Sequence, residues 1–188
     1  MKKVIFIHGY TSSPKKKKYR FIAEEFDKSG VEYSIPALPG GENPHSSKWL
    51  EIIDNEVASS KKPVVLVGHS LGTRAALLYL DKLGKKVDSV ILFAAFDNNY
   101  VANRRRKDKH YSDFFDYSID IQKIKKLAKK FIVVHSKDDD SIDYAQGERI
   151  SKELGAQLIT YEHMGHFSGE ERAKENAKVF LDVVKSVL

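Results

Sequence analysis

The chain of 188 residues contains no cysteine, which excludes disulfides, thiol catalysis and cysteine-ligated zinc or iron–sulfur centres. It also lacks long apolar runs: Val90 to Phe96 falls far short of the ~20 residues that a membrane helix needs. Met1-Lys2-Lys3 has the charge of a signal peptide, but only Val4 to Ile7 follow before His8-Gly9 stops the apolar stretch. No secretion signal is therefore expected, and a soluble cytoplasmic protein with no membrane partner is the simplest expectation. Gly-rich phosphate loops and consistent metal-ligand spacings are missing too, so neither a cofactor nor a metal is implied.

Charge of either sign is only mildly in excess, with 32 Lys+Arg against 26 Asp+Glu and a net charge of +6. The basic residues stand in short runs, Lys15 to Lys18, Lys61-Lys62, Lys85-Lys86, Arg104 to Lys107 and the stretch from Lys123 to Lys130. Such runs read as solvated faces. No basic stripe interleaved with stacking aromatics is visible, so no nucleic-acid partner is expected. With 41% hydrophobic and 31% charged residues, residues 1–188 read as one globular domain able to bury about 70% of its unfolded surface.

Six short β-branched runs recur, at Val4–Ile7, Val31–Ile35, Val64–Val67, Val90–Phe93, Phe131–Val134 and Leu158–Tyr161. Their nearly continuous apolar character suits strands buried on both faces of a parallel sheet. Between them lie helical spacings: Tyr19, Ile22, Phe26; Trp49, Ile52, Ile53, Val57; Leu71, Ala75, Leu78; Ile121, Ile124, Leu127; Ile150, Leu154; and Ala173 through Leu188. Ser13-Pro14, Asp143 with Gln146, and Ser168 with Glu171 read as helix starts. Strict alternation of strand and helix predicts a three-layer α/β/α sandwich with a six-stranded parallel sheet. The long polar connection from Asp97 to about Tyr117, bearing Arg104, Arg105 and Arg106, reads as a lid or a solvated loop.

Gly68-His69-Ser70-Leu71-Gly72 follows an apolar run and opens a helical one, the strand–turn–helix setting that Gly-x-Ser-x-Gly requires. A serine hydroxyl there needs a base, and the base needs an orienting group. After the fifth run stand Asp138, Asp139 and Asp140, and after the sixth His163-Met164-Gly165-His166-Phe167. His166 is the expected base and Asp139 its acid, with Asp138 second and Asp97 third. His163 is expected only to pack or hydrogen-bond at the strand end, and His135 reads as a satisfied core histidine. The oxyanion donors are expected to be the amides of Leu71 and Tyr10, with Thr11 the alternative and Gly9 admitting the substrate.

These motifs in order resemble the α/β-hydrolase superfamily, and within it the small, cap-less serine hydrolases of the retinoblastoma-binding-protein-nine and YdeN type. The resemblance is carried by residues 4–10, Ile-Pro-Ala-Leu-Pro at 35–39 ahead of Trp49, 67–72, 124–139 and Gly-His-Phe at 165–167. It implies strand order 2-1-3-4-5-6. In the family pattern the acid stands three residues before an apolar residue that a proline follows. Asp139 has that place relative to Ile142, and Asp143 replaces the proline. The expected chemistry is hydrolysis of small or short-acyl esters through an acyl-enzyme, with activity rising through about pH 6 to 8. Peptide or thioester hydrolysis, or a weakly catalytic interaction protein on the same fold, are the alternatives.

Overall fold

The computed structural model describes residues 1–96, 98 and 111–188. Six strands, β1 (Lys3–Ile7), β2 (Glu32–Ser34), β3 (Val64–His69), β4 (Val87–Phe93), β5 (Ala128–Ser136) and β6 (Gln157–Tyr161), form one sheet in the order β2-β1-β3-β4-β5-β6. Every pairing is parallel. Helices α1 (Lys17–Ser29), α2 (Ser46–Ala58), α3 (Leu71–Leu83), α4 (Ile121–Ile124), α5 (Tyr144–Leu154) and α6 (Ala173–Lys185) lie between and after them.

Strand side chains alternate between the two faces. Val4, Phe6, Val65, Val67, Ile91 and Phe93 join α1 and α6 in one buried cluster. Ile5, Ile7, Leu66, Leu92 and Val133 join α2, α3 and α5 in the other. The apolar runs of β1, β3, β4 and β5 are thus buried on both sides, as expected for strands flanked by helices, whereas those of the edge strands β2 and β6 are only partly covered, each having a neighbour on one side alone. The strand order reverses beside β1, whose neighbours are β2 and β3, and α/β sheets open a crevice at the strand C-termini next to such a reversal.

Of the three expected helix starts, two differ. The chain turns at Ser13-Pro14, with Lys16 N–H donating to Ser13 O at 3.2 Å, and α1 begins only at Lys17. Ser168 and Glu171 form no capping box, because α6 begins at Ala173 behind Arg172. Asp143 does cap α5, accepting from Ala145 N–H at 2.8 Å. The helix expected through Leu127 is a single turn, and β5 takes over at Ala128.

Of the connection expected to be a polar lid, Asp97 and residues 99–110, including the three arginines, lie outside the described residues. Its later part is packed at Tyr111 and Phe114, while Asp116 and Tyr117 stay exposed. Tyr111 and Phe114 are buried, a 3-10 turn covers Ser112–Phe114, and Phe114 meets the ring of Trp49 edge-on at 5.1 Å. The Arg74 guanidinium anchors this segment, donating to Phe114 O at 2.8 Å and to Tyr117 O at 2.5 Å. Asp113 accepts from Ser46 N–H at 2.7 Å, setting a carboxylate against the positive end of α2. Among the described residues, no helix is long and apolar enough to cross a membrane.

Candidate active site

β3 ends at His69 and α3 begins at Leu71, so Ser70 alone makes the reversal. Its backbone sits at φ 54°, ψ −122°, a region costly for a residue with a Cβ. Neighbours hold it there: Ser70 N–H donates to Phe93 O at 2.9 Å, and Ser70 O accepts from Thr73 N–H at 2.8 Å and Thr73 Oγ1 at 2.7 Å. The flanking glycines clear the space. A Cβ on Gly68 would lie 2.7 Å from Gly72 O, and one on Gly72 only 2.0 Å from Ile7 O.

His166 and Asp139 come together across the loops that follow β6 and β5. The two Asp139 carboxylate oxygens lie 3.0 and 2.9 Å from His166 Nδ1. The Asp139 side chain is fully buried and that of His166 is 15% exposed. Burial pushes the Asp139 carboxyl up, but His166 and the amides of Ile142 and Ser141, donating at 2.9 Å each, outweigh it and hold it below the usual carboxylate range. An ionised acid on Nδ1 fixes the imidazole so that Nε2 is the nitrogen left for a reacting proton.

Asp138 has a different task. It accepts from Ser136 Oγ at 2.5 Å and from Gly165 N–H at 2.8 Å, while Ser136 Oγ accepts from Met164 N–H at 2.8 Å. It therefore ties the histidine loop to the end of β5 and does not touch His166. Asp97, the third expected acid, lies outside the described residues. His163 is exposed, with Nδ1 4.0 Å from Asp138.

His135 is core but only half satisfied, which corrects the sequence expectation. Its Nε2 donates to Ile142 O at 2.9 Å and stands 3.6 Å from Asp139 Oδ2, whereas its buried Nδ1 has no hydrogen-bond partner among the described residues. Burial lowers its pKa, so the ring is neutral. The missing partner follows from close packing, since Gly147 sits so near that a Cβ there would lie 2.3 Å from Nδ1.

The expected oxyanion donors border the serine. Leu71 is the first residue of α3, where the amide has no acceptor inside the helix. Gly9 lies against Ser70, its notional Cβ 3.1 Å from that of the serine. Beyond it Thr11 adopts φ 52° and donates its hydroxyl to Tyr10 O at 2.8 Å, and the Tyr10 hydroxyl donates to Glu42 O at 3.0 Å. His8 braces the start of this loop. Its Nε2 accepts from Leu38 N–H at 3.1 Å, and Trp49 Nε1 donates to Pro39 O at 2.8 Å, which gives Ile-Pro-Ala-Leu-Pro and Trp49 a structural reason to occur together.

Two cavities meet at Ser70 and His166. One of about 160 Å³ is lined by Tyr10, Leu71, Phe96, Tyr111 and Ile142; the other, of about 330 Å³, by Thr11, Ser12, Lys18, His69 and Glu170. Several of these residues carried no sequence expectation for the site, Tyr111, His69 and Lys18 among them. Tyr111 lies in the connection read as a lid. His69, the variable position of the serine motif, donates from Nε2 to His166 O at 2.8 Å. Burial, with the charges of Lys18 and His166, lowers its pKa well below 6.5 and keeps it neutral.

Lys18, counted among solvated charges in the sequence, is 7% exposed. Its position was legible in the register, because Lys18, Ile22 and Phe26 recur every fourth residue and share the buried face of α1. Among the described residues, no cluster of three His, Asp or Glu could hold a metal ion.

Comparison with known proteins agrees with this fold. The chain is 28% identical over 172 residues to YdeN of Bacillus subtilis (strain 168), a protein named as a hydrolase, with 90% of this chain and 88% of that one covered. The crystal structure of the B. subtilis ydeN gene product superposes with a TM-score of 0.87 at 26% identity, covering 100% and 98% of the two chains. An Arabidopsis methylesterase has a TM-score of 0.73 at 14% identity, with 100% and 99% covered, a likeness of fold alone. Residues 4–180 match the serine hydrolase family model, and the chain is a member of that family, built on the α/β-hydrolase fold.

Proposed function

We propose that the protein hydrolyses small or short-acyl carboxylic esters, with Ser70 as nucleophile, His166 as general base and acid, and Asp139 as the group that orients the histidine. The observation that carries this reading is the buried Asp139 carboxylate on His166 Nδ1 at 2.9 Å, beside a serine in a strained turn that lines the same two cavities. Ser70 Oγ attacks the ester carbonyl and its proton passes to His166 Nε2, then to the departing alkoxide. The amides of Tyr10 and Leu71 receive the developing oxyanion. Water then attacks the acyl carbonyl, gives its proton to His166, and releases the carboxylic acid with Ser70 restored.

Cavities of about 160 and 330 Å³ favour short chains, since larger ligands need more room for burial. The test combines labelling by a fluorophosphonate with turnover of 4-nitrophenyl esters of increasing acyl length. Wild-type protein is expected to gain one adduct mass that Ser70→Ala lacks, to prefer acetate or butyrate over palmitate, and to speed up from pH 6 to 8. Labelling that survives in Ser70→Ala, or preference for palmitate, overturns the reading.

A further inference from the structure

Lys18 is a buried cation with most of its hydrogen-bonding capacity unused. Its Nζ donates to Phe167 O at 2.7 Å and stands 4.4 Å from the centre of the Phe180 ring and 5.2 Å from that of Tyr19. An ammonium carries three N–H donors, and among the described residues no second acceptor and no carboxylate within ion-pair distance engages it. Glu170, at the rim of the cavity, is paired instead with Lys16, Nζ to Oε1 3.7 Å, both half exposed. Burying an ammonium without an anion is costly, and this one borders the cavity that also holds Ser70 and His166.

We propose that the 330 Å³ cavity is a subsite for a substrate carboxylate held by Lys18, so that the preferred esters are short hemiesters whose acyl chain ends in a free carboxylate. This rests on the ester-hydrolase reading above. A single compact cation matches one carboxylate better than a phosphate, which is favoured by several donors or a guanidinium fork. The hydroxyl-bearing Ser12 and Ser168 share the lining and supply polar neighbours for the same group. The aromatic cavity of Phe96 and Tyr111, which also borders Ser70, is left for the departing alcohol.

The charge state of Lys18 supports this placement. Burial pulls its pKa down to about 7, against the opposing charge of Glu170, which raises it. The other groups facing it add little positive field: His69 is neutral, burial holds the Tyr19 phenol protonated, and Lys16 is offset by Glu170. His166 is the remaining ionisable neighbour. A bound carboxylate favours the protonated amine, so binding above pH 7 takes up a proton.

The test has a kinetic and a binding arm. Wild-type protein is expected to hydrolyse mono-4-nitrophenyl glutarate at least tenfold more efficiently, in kcat/KM, than methyl 4-nitrophenyl glutarate, and Lys18→Met to lose that ratio. In the second arm glutarate and the neutral diamide of the same length are titrated calorimetrically into Ser70→Ala, in buffers of different ionisation enthalpy at pH 8. Glutarate is expected to bind at least tenfold more tightly than the diamide, with proton uptake that disappears when Lys18→Met is added. Equal affinity for the two ligands, or a preference and proton uptake that persist without Lys18, overturns the subsite. If no ester is turned over, the hydrolase mechanism fails while the binding arm still decides the subsite. If neutral esters are turned over but glutarate is not preferred, the subsite alone falls. The comparison of glutarate with its diamide uses Lys18-containing protein and stands even if the methionine variant does not fold.

Discussion

Asp138 and Asp139 are adjacent in sequence and opposite in role. Asp139 turns inward to His166 and the amides of Ser141 and Ile142, whereas Asp138 receives Ser136 Oγ and Gly165 N–H. If Asp139 orients the base, Asp139→Asn lowers kcat by roughly 10⁴-fold through the wrong imidazole tautomer. Asp138→Asn weakens hydrogen bonds to the histidine loop and costs about tenfold or less. Ester kinetics on the two variants check this, and equal losses would contradict the division of labour. The sequence made three aspartates visible and could rank them only by their place before Ile142. What distinguishes them is which carboxylate the chain turns toward the interior after β5, a property of the loop's backbone path. Lys18 escaped for the opposite reason: the run of four lysines suggested solvent, while the fourfold register with Ile22 and Phe26 put its stem on the buried face.

The strands and most helices were legible as elements, because an apolar run bounded by turn residues encodes a buried parallel strand nearly on its own. Their ends were less so. β5 begins at Ala128 among exposed lysines, where ladder hydrogen bonds to β4 continue a strand that hydropathy alone ends. The starts of α1 and α6 fall beyond Ser13 and Ser168 because neither serine caps a helix in place. Contacts between elements explain two glycines that spacing alone does not. Gly72 lets the first turn of α3 rest on the backbone of β1, and Gly147 lets α5 rest on a histidine ring in β5. Backbone has nowhere to retreat, but a side chain can shift. Gly72→Ala is therefore expected to destabilise by more than about 3 kcal/mol, and Gly147→Ala by about 1–3 kcal/mol, as measured by urea denaturation. The reverse ranking would mean that the α3–β1 contact is looser than its geometry indicates.

Every central strand feeds both buried clusters, Val65 and Val67 to one face, Val64 and Leu66 to the other. Neither layer of helices can melt without stripping cover from the same sheet, so residues 1–188 are expected to unfold as one unit. Trp49, the single tryptophan, reports from the face of α2 and α3. Its fluorescence and the far-ultraviolet circular dichroism of the whole chain are expected to trace one urea transition, and midpoints that separate would divide the molecule into two cooperative parts. The order β2-β1-β3-β4-β5-β6 also has a meaning while the chain is being synthesised. Ser70 leaves the ribosome before Phe93, whose carbonyl helps to hold its strained turn, and well before Asp139 and His166, which follow β5 and β6. Domains are completed as their last segments emerge. In the proposed mechanism, a nascent chain stalled before residue 166 carries its nucleophile without a base, so an unfinished copy is inert toward the esters around it.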